Sequence, residues 1–211
     1  MTTCRDICAA GDAAAYQVNL YCNALGNRFD GRVESLTRRK FKSASATCIS
    51  KSEKDVSYYA DTRDLVNLPH GANLSFYTDL KGIRNEVKRE LGRADLALCT
   101  SFCPDGPAAS ELILDSRAGI KAFYDLNTPA TLDGLSAGAD VSYLPAQGLG
   151  DFDIVLSYTG GWALAELKTR LGARAVAPLY GSVDPENHRP VSPREEFRSA
   201  LSYLGTYAED K

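Results

Sequence analysis

Four short segments of this chain combine hydroxyl, carboxyl and glycine residues, which are suited to binding anionic or hydroxyl-rich ligands. Each segment follows an apolar run, and three of them lead directly into a stretch with helical spacing. Free backbone N–H groups at such helix starts, together with the helix dipole, favour phosphates, carboxylates and hydroxyls. The segments are TSFCPDG (100–106), YDLNTP (124–129), SYTGG (157–161) and YGSVD (180–184).

The same segments also have an ordinary structural interpretation. Thr128 followed by Pro129 is typical of a helix start, and Gly160-Gly161 would allow a strand and a helix to pack closely. A shared site therefore requires that the four loops meet at one edge of a sheet. The candidate binding residues are Ser101, Asp105, Thr128, Thr159, Gly160, Gly161, Ser182 and Asp184.

The apolar pattern over 73–180 predicts that these loops do meet. Continuous apolar runs alternate with helical segments, which indicates βαβ units and a parallel sheet buried on both faces. We therefore expect a Rossmann-like, doubly wound α/β domain, in which ligands bind beyond the carboxyl ends of the strands. The strands should end on a common edge near Thr100, Tyr124, Ser157 and Tyr180.

Capping residues place the helices between these strands. In DLKGIRNEVKRELG, Asp79 is the expected N-cap and Gly92 the expected left-handed residue after the helix end. Pro107 begins the helix GPAASELIL, and Thr128 is the expected cap of TPATLDGLSA. The last helix, GGWALAELKTRLG, ends at Gly172.

Several common enzyme motifs are absent from the sequence. It contains no G-x-G-x-x-G after a strand, no Walker A sequence and no G-x-S-x-G elbow. GLGDF (148–152) and DFD (151–153) precede their strand, so they fall on the opposite edge, where we expect a solvated turn. Asp125 with Asn127 is a weak metal-ligand set, and we expect no metal site.

Composition narrows the class of partner. The 211 residues carry a net charge of −3, which gives no reason to expect nucleic acid or an anionic membrane surface. No apolar run approaches the roughly 18 residues of a membrane span, and the N-terminus lacks a signal peptide, so we expect a cytoplasmic protein. None of the six cysteines forms a C-x-x-C pair, which favours reduced thiols, with Cys99 as a small buried hydrophobe.

The first 52 residues show no convincing strand. DAAAYQVNLYCNALG (12–26) has helical spacing, whereas residues 27–54 are basic, polar and unpatterned. The basic stretch is either a patch for nucleic acid or lipid headgroups or a solvated, disordered segment. A change of reading frame in the gene would also produce such a sequence.

Five segments in the second part of the chain carry a resemblance to one enzyme family. They are EKDVSYYADTRDL (53–65), ADLALCTSFCPDG (94–106), KAFYDLNTPATLDGL (121–135), residues 143–191 from YLPAQGLGDFDIVLSYTGG to SVDPENHRPV, and LSYLGTYAEDK (201–211). In order and nearly without gaps, these segments resemble the spore-maturation (CgeB-like) glycosyltransferases over most of residues 53–211. The resemblance implies a GT-B enzyme, in which two Rossmann-like domains face each other and a sugar passes from a nucleotide-sugar to an acceptor.

The resemblance implies a division of the chain. Residues 1–52 are an irregular segment, 53–181 the acceptor-side domain, 182–200 an interdomain linker and 201–211 the first strand of a donor-binding domain that is otherwise missing. The expected partners are a sugar, glycan or protein acceptor and a separately encoded C-terminal domain. No cofactor is expected, because the nucleotide-sugar is the donor substrate.

Asp125 is the residue for which the resemblance implies a chemical role, as an acceptor-hydroxyl contact or general base. The family position that matches Asn127 is usually acidic, so the loop departs from the family pattern there. We expect the isolated chain to be inactive in transfer. Two other hypotheses remain open: a non-catalytic module that binds nucleotides or sugars, and the inactive remnant of a broken gene.

Overall fold

A seven-stranded parallel sheet forms the centre of the protein. The computed structural model describes residues 17–21, 48–55, 72–180 and 189–201. Its strands lie in the order β3-β2-β1-β4-β5-β6-β7, and every neighbouring pair is parallel. They are β1 (Gln17–Tyr21), β2 (Cys48–Lys54), β3 (Ala72–Tyr77), β4 (Leu96–Thr100), β5 (Ile120–Asp125), β6 (Ile154–Ser157) and β7 (Val176–Pro178).

The strand order confirms the predicted α/β class and is consistent with a Rossmann-like sheet. The chain builds outward from β1 to β3, then returns to the other side of β1 with β4 and continues to β7. Such a reversal next to the first strand is the point around which doubly wound sheets bind ligands. The described helices are α1 (Leu80–Leu91), α2 (Gly106–Leu114), α3 (Thr128–Ser136) and α4 (Trp162–Leu171), and a short 3-10 helix spans Glu195–Phe197.

The pairing register confirms that the strands end at one edge. Thr100 pairs with Tyr124, Asp125 with Ser157, and Ser157 with Pro178. Because all of these pairs are parallel, the segments after β4, β5, β6 and β7 leave the sheet on the same side. This is the carboxyl edge at which the sequence predicts a site.

Side chains alternate between two apolar clusters, one on each face of the sheet. Cys99, Phe123 and Val155 point into the larger cluster, which receives residues of all four described helices. Leu98 and Leu156 belong to the cluster on the opposite face. Continuous apolar strands are therefore explained by burial on both sides.

The helix ends agree with the predicted caps in part. Asp79 caps α1 by accepting a hydrogen bond from the Lys81 N–H at 3.0 Å, and Gly172 follows α4 with φ +74°. The prediction for Gly92 is wrong, because its φ of −66° continues the right-handed turn. Asn127, not Thr128, caps α3, and Thr128 is its first helical residue.

The N-terminal part of the chain contributes strands that the sequence did not indicate. Gln17–Tyr21, inside the stretch predicted as a helix, is the strand β1 between β2 and β4. Cys48–Lys54 is β2, so the sheet extends across the predicted boundary at residue 53. The expectation that residues 1–52 contain no strand is therefore wrong.

The described C-terminal segment lies on the surface. Val191, Phe197 and Leu201 are all exposed. The predicted linker residues 182–188 and most of the predicted strand ALSYLGTY lie outside the described residues. Among the described helices, none has the length and apolar character needed to cross a membrane.

Gly106 and Gly82 give a matched test of how closely α2 packs against the backbone of Tyr143. A Cβ on Gly106 would lie 2.7 Å from the Tyr143 Cα and 2.9 Å from its carbonyl carbon, whereas a Cβ on Gly82 in α1 meets nothing within 4 Å. We expect Gly106→Ala to lower the free energy of unfolding by about 1–3 kcal/mol, because backbone must move. Gly82→Ala should raise it by about 0.5–1 kcal/mol through helix propensity. Urea denaturation of both variants measures the difference, and equal effects would contradict the close approach.

Candidate functional site

A layer of buried polar side chains lies beneath the carboxyl edge of β4, β5 and β6. Each member is 0 % exposed, although all are hydroxyl or carboxyl residues. Buried polar groups of this kind need hydrogen-bond partners, since each unpaired group costs free energy. The layer consists of Ser101, Asp125, Thr128, Thr131 and Ser157.

Ser157 connects β6 to α3 and to the loop that follows β6. Its hydroxyl donates to the Thr159 carbonyl at 2.6 Å and accepts from the Thr159 N–H at 3.0 Å. It also lies 2.7 Å from the Thr128 hydroxyl. A serine hydroxyl has one proton, so Thr128 must be the donor in that last bond. Thr128 is therefore part of the scaffold and does not face a ligand.

Ser101 connects the loop after β4 to the loop after β5. Its Oγ accepts from the Leu126 N–H at 2.8 Å, and its own N–H donates to the Tyr124 carbonyl at 2.9 Å. The sequence places Ser101 at the correct edge of the sheet. Its side chain is buried, however, so it supports the loops and is not on the surface.

Asp125 is the only carboxylate of the buried layer, and its two oxygens differ. Oδ1 accepts from the Asn127 N–H at 3.1 Å. Oδ2 is buried and has no hydrogen-bond partner among the described residues. The Asp125 carbonyl accepts from the Tyr158 N–H at 2.9 Å, which ties the loop after β6 to β5.

Burial raises the pKa of Asp125 above its usual value. The Thr131 hydroxyl and the Asn127 N–H favour the ionised form, but their effect is smaller than that of burial. A carboxyl group with a raised pKa at the ligand edge of a sheet is a functional-site candidate.

Asp105 takes part in a second polar cluster at the same edge. Its carboxylate accepts from the Lys54 Nζ at 3.0 Å and from the Tyr77 hydroxyl at 3.1 Å. These contacts join the ends of β2 and β3 to the start of α2. Asp105 is therefore half-buried and engaged in structural contacts.

The loop Thr159–Gly161 is the part of the predicted site that reaches the surface. Thr159 and Gly160 are half-buried and Gly161 is exposed. Gly161 has φ +65°, a conformation that side chains disfavour. A Cβ on Gly160 would overlap the Tyr180 hydroxyl, so the glycine makes room for that side chain.

Sequence reasoning missed one strained residue of the site. Phe102 follows Ser101 and has φ +63°, a conformation uncommon for a bulky residue. Its ring packs against Tyr143 at a centroid distance of 4.9 Å, and the Tyr143 hydroxyl lies 2.8 Å from the Thr131 hydroxyl. Strain of this kind is concentrated at functional sites.

Two cysteines lie close to the carboxyl edge, and they differ from each other. Cys99 is a free, buried thiol, and burial raises its pKa to about 12, which confirms its prediction as a buried hydrophobe. Cys103 is disulfide-bonded, so the expectation of reduced thiols is wrong at this position. The other four cysteines have no described side chain.

Two predicted site residues, Ser182 and Asp184, are not among the residues that the structure describes. Asp151 and Asp153 are exposed at the amino end of β6, on the edge that the sequence predicts. Phe152 between them is fully buried and Asp153 accepts from the Lys121 N–H at 2.8 Å, so the predicted solvated turn is confirmed only in part. A cleft of about 580 Å³ at this amino edge lies between the ends of α3 and α4. Within the described ranges, no group of three or more His, Cys, Asp or Glu side chains could hold a metal ion.

The chain shows no significant match to any family model, curated protein or solved structure.

The unpaired Asp125 oxygen makes the stability of the fold depend on pH. The folded-state pKa lies above the unfolded value, so wild type loses stability as the pH rises from about 3.8 through the folded pKa. We expect Asp125→Asn to raise the free energy of unfolding at pH 7 by about 1–3 kcal/mol, because a neutral amide avoids the desolvation cost of a buried, ionised carboxylate. Below about pH 3.8 the two proteins should be equally stable.

Denaturant titrations between pH 3 and pH 8 measure this gap, which is the difference in free energy of unfolding between Asp125→Asn and wild type. Asp151→Asn is the matched control, because it removes an exposed carboxylate at the opposite edge. A gap for Asp125→Asn that stays constant with pH would show that the carboxyl does not titrate differently on folding.

Proposed function

We propose that the described sheet is the acceptor-side domain of a GT-B glycosyltransferase. Such an enzyme transfers a sugar from a nucleotide-sugar to a sugar, glycan or protein acceptor. The sequence resemblance over residues 53–211 motivates this reaction class. The parallel sheet with polar loops on its carboxyl edge is consistent with the acceptor-side domain of such an enzyme.

The observation that carries the proposal is the buried Asp125 carboxylate with its unpaired Oδ2. An unpaired buried oxygen lowers stability, and proteins tolerate such costs where function requires them. The group lies at the carboxyl end of β5, directly beneath the loops that follow β4 and β6. We therefore propose that the acceptor binds over these loops.

Asp125 has two possible roles in this proposal. As a general base it would need an acceptor hydroxyl within hydrogen-bond reach of its carboxylate. In the described conformation it is 0 % exposed, which favours a positioning role through its bonds to Asn127 and Tyr158. Direct proton abstraction would require the loops above it to separate.

The donor belongs to a second domain in the GT-B arrangement. Holding donor and acceptor together between two domains can contribute about 7–11 kcal/mol to lowering the barrier. The described residues form one such wall. A donor-side domain as partner and a cytoplasmic location are part of the same proposal. The Cys103 disulfide is unusual for that reducing compartment.

We expect the purified chain to bind acceptor sugars, to bind nucleotide-sugars at least tenfold more weakly, and to show no transfer or donor hydrolysis. Calorimetry with a panel of neutral sugars and a panel of nucleotide-sugars measures both affinities. Asp125→Ala should weaken sugar binding about tenfold, since it removes the carboxylate that accepts from the Asn127 N–H in the loop after β5. Asp151→Asn, at the amino edge, should leave sugar binding unchanged.

Two results would contradict the proposal in different ways. Turnover by the chain alone that disappears in Asp125→Ala would show that this domain builds a complete active site. Tight nucleotide binding without any sugar binding would instead support a nucleotide-binding module.

A further inference from the structure

Two exposed aromatic side chains flank the Thr159–Gly161 loop at the carboxyl edge. Trp162 is the first residue of α4 and is 60 % exposed, and Tyr180 follows β7 and is 59 % exposed. The Tyr180 hydroxyl lies against Gly160, two residues before Trp162. Both residues therefore border the Thr159–Gly161 loop, and we call this pair the aromatic platform.

Exposed aromatic residues that occur singly need no explanation, but a pair at a ligand edge does. Full burial of such rings would stabilise the protein, because each carries a large apolar area. Around these two rings lie the half-buried Thr159 and the peptide groups of Gly160 and Gly161. Apolar faces with a few polar groups at their border are typical of small-molecule sites.

A pyranose ring matches this combination. Its C–H groups can pack on the electron-rich face of an aromatic ring, and its hydroxyls can bond to polar groups at the border. The composition of the two segments also favours a neutral ligand. Neither Ser157–Trp162 nor Pro178–Tyr180 contains a charged residue, so neither offers a side-chain cation to pair with a nucleoside diphosphate.

We propose that Trp162 and Tyr180 are the platform on which a pyranose ring of the acceptor stacks. This inference rests on the proposed function and deepens it, because it names the acceptor as a carbohydrate, not a bare protein hydroxyl. Gly160 is a positioning residue of the platform, since a Cβ there would displace the Tyr180 hydroxyl from its present place.

Intrinsic fluorescence tests the platform directly, because Trp162 is the only tryptophan of the chain. The full chain is titrated with neutral mono- and disaccharides, and separately with uridine and guanosine diphosphate. We expect a saturable change in tryptophan emission with at least one sugar and none with either nucleotide at equal concentrations.

Four variants separate the platform from general folding effects. Tyr180→Ala should weaken sugar binding about tenfold, and Gly160→Ala should weaken it similarly by displacing the tyrosine ring. Tyr180→Phe keeps the ring and should bind within twofold of wild type. Phe197→Ala removes an equally exposed aromatic side chain outside the platform and should have no effect. Thermal melting checks that each variant is folded.

Trp162→Ala, measured by calorimetry, should also lose about tenfold in affinity. Sugar binding that leaves the emission unchanged and survives Tyr180→Ala would overturn the platform while leaving the acceptor-side proposal intact. Absence of binding to every sugar would count against both proposals. An emission change produced by the nucleotides would assign the aromatic pair to a base and overturn the inference.

Discussion

The hydroxyl of Ser157 is the group on which the carboxyl edge depends. Its single proton goes to the Thr159 carbonyl, and its acceptor positions are taken by the Thr159 N–H and the Thr128 hydroxyl. This arrangement fixes the end of β6, the start of α3 and the loop that reaches the surface.

Tyr143 supports the same edge from the side of the helices. Its hydroxyl bonds to Thr131, its ring packs on Phe102, and its backbone lies against Gly106 at the start of α2. The contact with the ring helps to hold Phe102 in its positive-φ conformation, which costs about 1–3 kcal/mol. The loop after β4 is therefore held by packing as well as by Ser101.

The sequence predicted the strands over 73–180 because their apolar runs are continuous and bounded by caps. It failed for β1 and β2 for different reasons. QVNLY is short and lies within a stretch that also fits helical spacing, while CISKSEK is mostly polar. The sequence places Ser101 and Thr128 at the correct edge of the sheet. It does not show that they are buried, because a buried, hydrogen-bonded serine or threonine looks the same in a sequence as an exposed one. Whether the chain divides as the resemblance implies stays a prediction.

The structure separates two groups of residues that the sequence presents as one motif. The buried layer with Asp125 and Ser157 holds the loops by hydrogen bonds, and its side chains have no exposed surface for a ligand. The exposed surface comes from their neighbours along the chain, the Thr159–Gly161 loop and Trp162. A rigid layer beneath a small apolar surface limits the side-chain and loop entropy lost on binding. The Ser157 hydroxyl and the Asp125 backbone carbonyl thus hold the loop after β6 through its own peptide groups.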